Sequence, residues 1–480
     1  MRGAMMTQGD FIRNVTWDEL RIGASAQLAR SCTVDDLILF AHASGNVNPL
    51  MLPAQDGAAE EPMAPSLWVG SLISAVLGNI LPGAGTLYLS QNLRFGARVH
   101  PGDKLSVDVR CVELREKPVA VFEARVLTSD GAVACEGFAE VAAPVQTIVL
   151  NRNALPPLIV DHHDHFSKLV ARAEALQPLA TAVVWPDDRN SLAGALLAAA
   201  RGLIEPVLIG PRAKMIELAA MTGAPLDEGW IVDAVDHAES CARAVELTQR
   251  GATRAIMKGN VHSDEILGAV VKKEAGLRTN RRVSHVFAMD APTLDRLLFI
   301  SDAAVNISPD LSAKVDIVQN AIDLARACGV ATPKVGVLSA VETVNVAIPS
   351  TLDAAILSKM ADRGQIRGGV VDGPLAIDNA VDADAARTKG IASLVAGQAD
   401  ILIAPNIEAG NMLAKELTFV ARAEAAGLVL GAKIPVMLTS RADNERSRLA
   451  SSALASLYDH WRRTGAAAPE ARPSLSQAAE

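Results

Sequence analysis

Aromatic side chains are scarce: Phe, Trp and Tyr make up 3% of the 480 residues. That leaves few rings for the stacking platforms that hold single-stranded nucleic acid. Excess positive charge is missing too, because 45 Lys and Arg face 54 Asp and Glu, for a net charge of −9. Without a general basic footprint, an anionic ligand must be held by a local cluster. The cysteines are few, odd in number and scattered (Cys32, Cys111, Cys135, Cys241, Cys328), with no CxxC spacing. That excludes a disulfide framework and suits small buried side chains in a reducing compartment. Residues 1–10 hold no apolar signal core, and no stretch is long and apolar enough to span a bilayer. The expectation is a soluble cytoplasmic protein with neither nucleic-acid nor membrane partners.

Apolar residues are plentiful, at 50%, and the length calls for two or three domains. Composition shifts across Val145–Pro157, an extended Pro-containing segment that reads as a linker over about 146–160. Ahead of it, over about 10–145, lies a self-contained α+β pattern. Thr33 to His42 reads as a helix with Thr33 as N-cap and Asp35 and Asp36 in its first turn. Ser44-Gly-Asn-Val-Asn-Pro49 breaks it, and Pro65 to Leu81 forms an apolar helix rich in small residues. Alternating strands run from Pro101-Gly-Asp103 to Val145, with a turn at Ser129-Asp-Gly131. One buried helix wrapped by an antiparallel sheet fits this order.

Beyond Phe166, helical patterns alternate with short apolar strands at 181–185, 206–210, 255–257, 334–338, 369–371, 401–403 and 435–438. Such alternation predicts parallel sheets covered by helices, in two α/β lobes with a cleft between them. Polar clusters follow several of the strands: Lys258 to Asp264, Ser339 to Glu342, Asp372 to Asn379, and Pro405 to Asn411. Strand carboxyl ends are where open α/β sheets bind ligands. The last strand stops at Thr439-Ser440-Arg441-Ala442-Asp443, which places a hydroxyl donor, an anion-binding fork and a carboxylate within one turn. Asp161-His-His-Asp-His165 has metal-ligand residue types but sits at a linker–helix junction; no metal is expected there. The segment from Gly465 is rich in Ala, Pro and Ser, and its end, 471–480, is expected to be a disordered tail.

Two resemblances follow from these residues. Phe40-Ala-x-x-Ser44-Gly45-x-x-Asn48-Pro49, the helix at Pro65 and Pro101-Gly-Asp103 resemble the MaoC-like (R)-specific enoyl-CoA hydratases, which implies a hot-dog fold. That family's motif carries an Asp and a His that activate water; here Asn46 and Met51 stand in their places. Neither an amide nor a thioether can serve as a general base near neutral pH, so the domain reads as a degenerate hydratase site. His42, one turn earlier, is the residue that could in principle substitute.

Residues from about 161 to 470 resemble the phosphate acetyltransferase and phosphate butyryltransferase family. Ser284-His-Val-Phe, Asp302-Ala-Ala-Val-Asn-Ile, Leu338-Ser-Ala-Val-Glu342, Val371-Asp-Gly-Pro-Leu-Ala-Ile-Asp378-Asn-Ala, Lys389-Gly-Ile and Gly410-Asn411 carry the likeness. It implies a two-lobed, isocitrate-dehydrogenase-like α/β homodimer, with lobe 1 over about 160–285 plus 430–470 and lobe 2 over about 286–429. The implied reaction is reversible acyl transfer between an acyl phosphate and CoA, with CoA as substrate and no permanently bound cofactor. By the same likeness Ser440 donates to the developing oxyanion and Arg441 holds phosphate. Asp443 is the candidate base with Glu445 behind it. Lys258, His262, Ser263, Arg278, Glu342, Asp372, Asp378 and Asn411 are candidate substrate-binding residues. The second arginine of the family's Leu-Arg-Pro segment is replaced here by Leu267-Gly268, and Arg278 or Lys258 could stand in for it. Residual hydratase activity, or an acyl-CoA or acyl-phosphate sensor without catalysis, are the alternatives left open.

Overall fold

The computed structural model describes residues 11–52, 62–151, 165–223, 225–438 and 444–469. Two compact units lie on either side of residue 160.

The first unit runs β1 (Phe11–Arg13), β2 (Ser25–Ser31), α1 (Val34–Ser44), α2 (Ser66–Asn79), β3 (Leu87–Phe95), β4 (Lys104–Leu114), β5 (Val119–Thr128), β6 (Val133–Ala142) and β7 (Val149–Asn151). Five strands form an antiparallel sheet in the order β2-β4-β5-β6-β3. One face of it closes on α2, whose Trp68, Leu72, Ile73, Val76 and Leu77 share a core with Val107, Phe122, Ala124 and Val141. Burying a side chain such as Phe122 or Ile73 contributes roughly 1.5–3 kcal/mol. This is the expected hot-dog arrangement. Thr33 caps α1 as its sequence predicts: its hydroxyl accepts from the Asp36 amide at 3.2 Å, and Asp36 returns the bond to the Thr33 amide at 2.9 Å. Gly45 ends the helix at φ +72°, a left-handed position that favours glycine. The expected linker is in part a strand, since β7 pairs antiparallel with β1 through Phe11–Asn151 to Arg13–Val149.

The second unit runs α3 (His165–Glu174), β8 (Leu179–Val184), α4 (Arg189–Ala200), β9 (Ile204–Gly210), α5 (Arg212–Thr222), β10 (Ile231–Asp233), α6 (His237–Gln249), β11 (Ala255–Lys258), α7 (Ser263–Val271), β12 (Ser284–Asp290), β13 (Leu298–Ser301) and α8 (Leu311–Ala327). It continues through β14 (Lys334–Leu338), α9 (Pro349–Asp362), β15 (Val370–Leu375), α10 (Ile377–Val381), α11 (Ala383–Thr388), β16 (Ile401–Ile403), α12 (Ile407–Phe419), β17 (Glu424–Leu430), β18 (Val436–Met437) and α13 (Glu445–Thr464). Among the described residues no helix is long and apolar enough to cross a membrane.

All eleven of these strands belong to one sheet, ordered β10-β9-β8-β11-β18-β17-β12-β13-β16-β14-β15. The expected purely parallel arrangement holds only at its flanks. β10, β9, β8, β11 and β18 are parallel to one another, and so are β13, β16, β14 and β15. Between them β18–β17, β17–β12 and β12–β13 are antiparallel. Three reversals turn the second parallel set against the first, so the two sets point at each other and their carboxyl ends approach one line from opposite sides. A single row, Met257, Met437, Leu428, Val286, Ser301, Ile403 and Val337, crosses from one set to the other. Both sets end within about two residues of that row, roughly 7 Å.

One face of the sheet carries a single core that runs under both sets and includes α3, α4, α8, α9 and α13 through Leu169, Leu196, Ile322, Leu357 and Leu454. The other face is divided: α6 and α7 pack with Ala182, Ile256 and Val429, whereas α10 and α11 pack with Met289, Ile300 and Leu402. On that face β12 carries His285 between Val283 and Phe287, which belong to the separate cores. The His285 ring is 1% exposed, lies edge-on to Phe287 at 4.3 Å, and its Nδ1 lacks a partner among the described residues. Burial pushes its pKa down to about 4, while the neighbouring Asp302 carboxylate pulls the other way. Asp302 also pins its own loop, accepting from the amides of Ala304, Val305 and Asn306 at 3.0–3.1 Å.

Only the start of the Gly465 segment is described, and it is ordered: Ala468 is buried and its carbonyl accepts from Arg172 Nη2 at 2.7 Å. Residues 471–480, the expected tail, lie outside the described residues.

A Cβ on Gly427 would lie 2.7 Å from His285 Cε1 and Nε2, so Gly427→Ala is expected to destabilise the second unit by about 1–3 kcal/mol, read by urea unfolding. Between pH 6.5 and about 4 the unfolded chain takes up a proton that native His285 refuses, so stability rises with pH across that window. Wild type is expected to lose of order 3 kcal/mol from this group on acidification. Equal acid sensitivity in wild type and His285→Gln, in denaturant titrations at pH 7 and 4.5, would contradict this assignment.

Candidate active site

The edge where the first parallel set ends is built around a close approach of strands. β11 stops at Lys258, and a Cβ on the next residue, Gly259, would meet the carbonyl oxygens of Val184 and Trp185 at 2.4 and 2.6 Å. Only glycine lets the chain pass there. Its amide donates to Val184 O at 2.8 Å, Asn260 N donates to Trp185 O at 2.8 Å, and Asn260 Nδ2 donates to Asp187 Oδ1 at 2.9 Å. The loops after β8 and β11 are thereby tied together.

Lys258 is 9% exposed, with Nζ 3.4 Å from Gly259 O. Ile256 packs with α6 and α7 and Met257 with the opposite core, so strand alternation turns Lys258 toward α6 and α7. The β11–β18 register pairs Met257 with Met437 and sets Lys258 beside Leu438, immediately before residues 439–443. Ser440, Arg441 and Asp443 lie in that segment, outside the described residues. Asn444 follows and caps α13, its Oδ1 accepting from Ser447 N at 2.8 Å; Glu445 is the exposed first residue of the helix. His262 and Ser263 open α7 on the same edge, where the His262 amide donates to Glu265 Oε2 at 3.1 Å.

Arg278 is elsewhere. It is exposed and bridges Ala432, beyond the end of β17, at the edge where β18 begins. Of the two cations that could replace the missing arginine, Lys258 is the one beside the last strand's carboxyl end.

Glu342, Asp372 and Asp378 belong to the carboxyl ends of the second parallel set, farther along the sheet. β14 is five strands from β18, about 24 Å along the sheet at the usual strand spacing. There Lys389 Nζ lies 3.1 Å from Asp378 Oδ2 and 3.4 Å from Glu342 Oε2. The ammonium holds the Asp378 carboxyl below its usual pKa and is itself raised by that bond. Asp372 Oδ1 accepts from the adjacent Gly373 amide at 2.8 Å. Asn411, on α12, donates to Ala303 O at 3.1 Å and steadies the turn after β13. The eight candidate binding residues therefore fall into groups, with Lys258, His262 and Ser263 closest to the corner along the chain and the sheet.

Sequence reasoning missed two cations. Lys389 was visible only as part of a motif. Arg448, in the first turn of α13, is 7% exposed and lies across α4, where a Cβ on Gly194 would meet its Cδ at 2.7 Å. A glycine inside an Ala-rich helix was its one sequence signal.

Of the His-rich run only His165 is described; its amide and that of Phe166 donate to Asp290 Oδ2 at 2.9 and 3.2 Å. No group of three or more metal-ligating side chains occurs among the described residues.

In the first unit, Asn46 and Met51 touch. Asn46 Nδ2 donates to Met51 Sδ at 3.6 Å, and Asn46 Oδ1 accepts from the Asn48 amide at 3.2 Å. His42 is exposed in the last turn of α1. The spatial pairing of the two positions is present, but neither side chain can take a proton from water.

Residues 231–456 match the family described as phosphate acetyl/butaryl transferase. The second unit is similar to the phosphate acetyltransferase of Rhizobium meliloti, 55% identical over 298 residues, which are 62% of this chain and 94% of that protein. It is similar also to the phosphate butyryltransferase of Clostridium acetobutylicum, 40% identical over 292 residues, 61% of this chain and 97% of that one. R-hydratase PhaJ1 from Pseudomonas aeruginosa, in its unliganded form, is 35% identical over 31% of this chain and 99% of its own, with a TM-score of 0.30. This chain belongs to the family of phosphate acetyl- and butyryltransferases.

Proposed function

We propose that the chain transfers an acyl group reversibly between an acyl phosphate and CoA, at the corner where β18 gives way to α13. The supporting observation is the buried Lys258 ammonium placed beside Leu438, two residues before Ser440. In the thioester-forming direction the CoA thiol loses its proton, its sulfur bonds to the acyl carbon, and the C–O bond to phosphate breaks. The thiol's ordinary pKa of about 8.5 calls for a base, for which Asp443 is the candidate with Glu445 behind it. Ser440 donates to the carbonyl oxygen as it gains charge. Arg441 engages two phosphate oxygens, and Lys258 supplies a second positive charge in a site with little water to screen it. His262 and Ser263 border the same crevice. The two halves of the sheet act as lobes, about 160–285 plus 430–470 and about 286–429, in a homodimer that needs no permanently bound cofactor. Glu342 and Asp378, paired with Lys389 at the carboxyl ends of the second set, face the same line from the other side.

Ser440→Ala is expected to lower kcat by about 10²–10³-fold with little change in KM. Arg441→Gln and Lys258→Met are expected to lower kcat/KM for the acyl phosphate by at least tenfold. The assay is CoA-dependent phosphate release from acetyl and butyryl phosphate. Equal, near-background rates in folded wild type and variants would leave a sensor of acyl-CoA or acyl phosphate instead.

The first unit carries no hydration in this reading, because the Asn46 amide and Met51 thioether replace the base and its partner. Their contact at 3.6 Å makes the loss reversible. Asn46→Asp with Met51→His is expected to gain measurable hydration of crotonyl-CoA over a wild type that shows none. Hydration by wild type at a comparable rate would mean that the unit is an active hydratase.

A further inference from the structure

β8 and β11 are parallel neighbours that pair Val184 with Lys258, and the chain leaves them toward opposite faces of the sheet. β8 leads into α4, which packs in the common core, whereas β11 leads into α7, which packs on the divided face. Neighbouring strands whose connections part in this way mark where open α/β sheets bind ligands. Here the parting loops are bonded across. Asn260 grips the β8 loop twice, its amide donating to Trp185 O at 2.8 Å and its side chain to Asp187 Oδ1 at 2.9 Å. Asp187 and Asp188 are adjacent but do different work. Asp188 caps α4, its Oδ1 accepting from the Asn190 and Ser191 amides at 2.9 and 3.1 Å, so helix capping accounts for Asp188 and leaves Asp187 unexplained. Trp185, whose carbonyl takes the Asn260 amide, stands at φ +55°, a conformation that a bulky side chain adopts only when its surroundings impose it. Its ring lies edge-on to that of His237 at 4.9 Å, and His237 Nδ1 is 3.3 Å from Glu265 Oε2, the carboxylate that accepts from the His262 amide. The loop from Lys258 to His262 is thus tied to the β8 loop at both of its ends.

We infer that Asp187 and Asn260 are positioning residues for the transfer reaction: their bond fixes the Gly259 peptide, whose carbonyl takes Lys258 Nζ at 3.4 Å, and through it the direction of the Lys258 ammonium. The inference rests on the acyl-transferase reading above and on the place of Lys258 in it. A lysine stem is a flexible four-carbon chain, so the ammonium keeps one direction only while its acceptor does. The Gly259 amide is anchored to Val184 O, but its carbonyl belongs to the next peptide plane, which is the one Asn260 holds. Because the Asp187 carboxylate is ionised, its bond to the Asn260 side chain is of the stronger, charge-assisted kind. Neither Asp187 nor Asn260 touches the acyl phosphate. Their loss therefore shows where Lys258 acts, at the phosphate end of the substrate, and leaves CoA alone.

The test is a double-mutant cycle on the full chain, read by CoA-dependent phosphate release from acetyl phosphate with both substrates varied. Asp187→Ala is expected to raise KM for acetyl phosphate about tenfold while KM for CoA stays within twofold. Asn260→Ala removes the other partner and serves if Asp187→Ala does not fold, with thermal melting as the check. Asp187→Asn keeps an acceptor oxygen in the same place and is expected to recover at least fivefold of the loss. In a Lys258→Met background Asp187→Ala is expected to cost nothing further, since the ammonium it directs is gone. The assignment is overturned if Asp187→Ala costs the same factor with and without Lys258, or raises both KM values alike. It is overturned also if Asp187→Asn is as damaging as Asp187→Ala, because the charge and not the bond would then be at work. Failure of the readings beneath it looks different: Lys258→Met alone would leave acetyl phosphate turnover unchanged, or wild type would release no phosphate from any acyl phosphate.

Discussion

The reversal of strand direction through β18, β17, β12 and β13 is the constraint on which the second unit depends. Parallel sets place their ligand-binding loops at their carboxyl ends, so joining two sets head to head within one sheet brings both groups of loops to one line. The row from Met257 to Val337 is the line along which both sets give out. Each set fills only its own side of that line, and the middle antiparallel strands carry the row across. Moving the register of β17 by one residue would turn Leu428 and Leu430 out of the common core and Val429 into it. Register is therefore held by burial, with Leu428, Val429 and Leu430 each no more than 1% exposed.

The two faces of this sheet differ in what they allow. A core that runs unbroken beneath both sets, from Leu169 of α3 to Leu357 of α9, resists relative movement because every displacement opens voids in close-packed side chains. The divided face has no such continuity: α6 and α7 pack on one half, α10 and α11 on the other. The divided face is the one to which Lys258 points. His285 lies beneath the division, uncharged at neutral pH because burial disfavours its proton.

Much of this was legible in the sequence, and the failures share one cause. Thr33 with Asp36 announced a capping box, and the apolar run after Pro65 announced a buried helix; both are local signals. The strands at 181–185, 206–210, 255–257, 334–338 and 401–403 were visible because they are apolar runs between amphipathic helices. β12, β13 and β17 were not read as strands, and these are the ones that reverse direction. β13 follows β12, and β18 follows β17, with no helix between them, so these pairs break the alternation of helix and strand that served as the signal. Without them the polar clusters after β11, β14, β15 and β16 look like the walls of one cleft. With them, Glu342, Asp372 and Asp378 come to that line from the opposite direction, about 24 Å along the sheet from β18. Residue type can reveal a carboxylate at a strand end, but only pairing reveals which edge that end occupies.

The same limit applies to charge. Glu342 and Asp378 read as candidate ligands because two carboxylates at strand ends suggest a site, yet each is engaged by Lys389. Surface pairs of this kind contribute little stability, so the cluster is weakly held, and its position relative to the corner decides its chemistry. Lys258 presents the reverse case. A lysine after a three-residue apolar run looks like an ordinary strand terminus, but Gly259 draws the chain against Val184 and Trp185 so closely that the ammonium ends up buried. A long cationic stem would normally extend to water. Here the fold instead holds it at the end of β11, beside the last residue before 439–443.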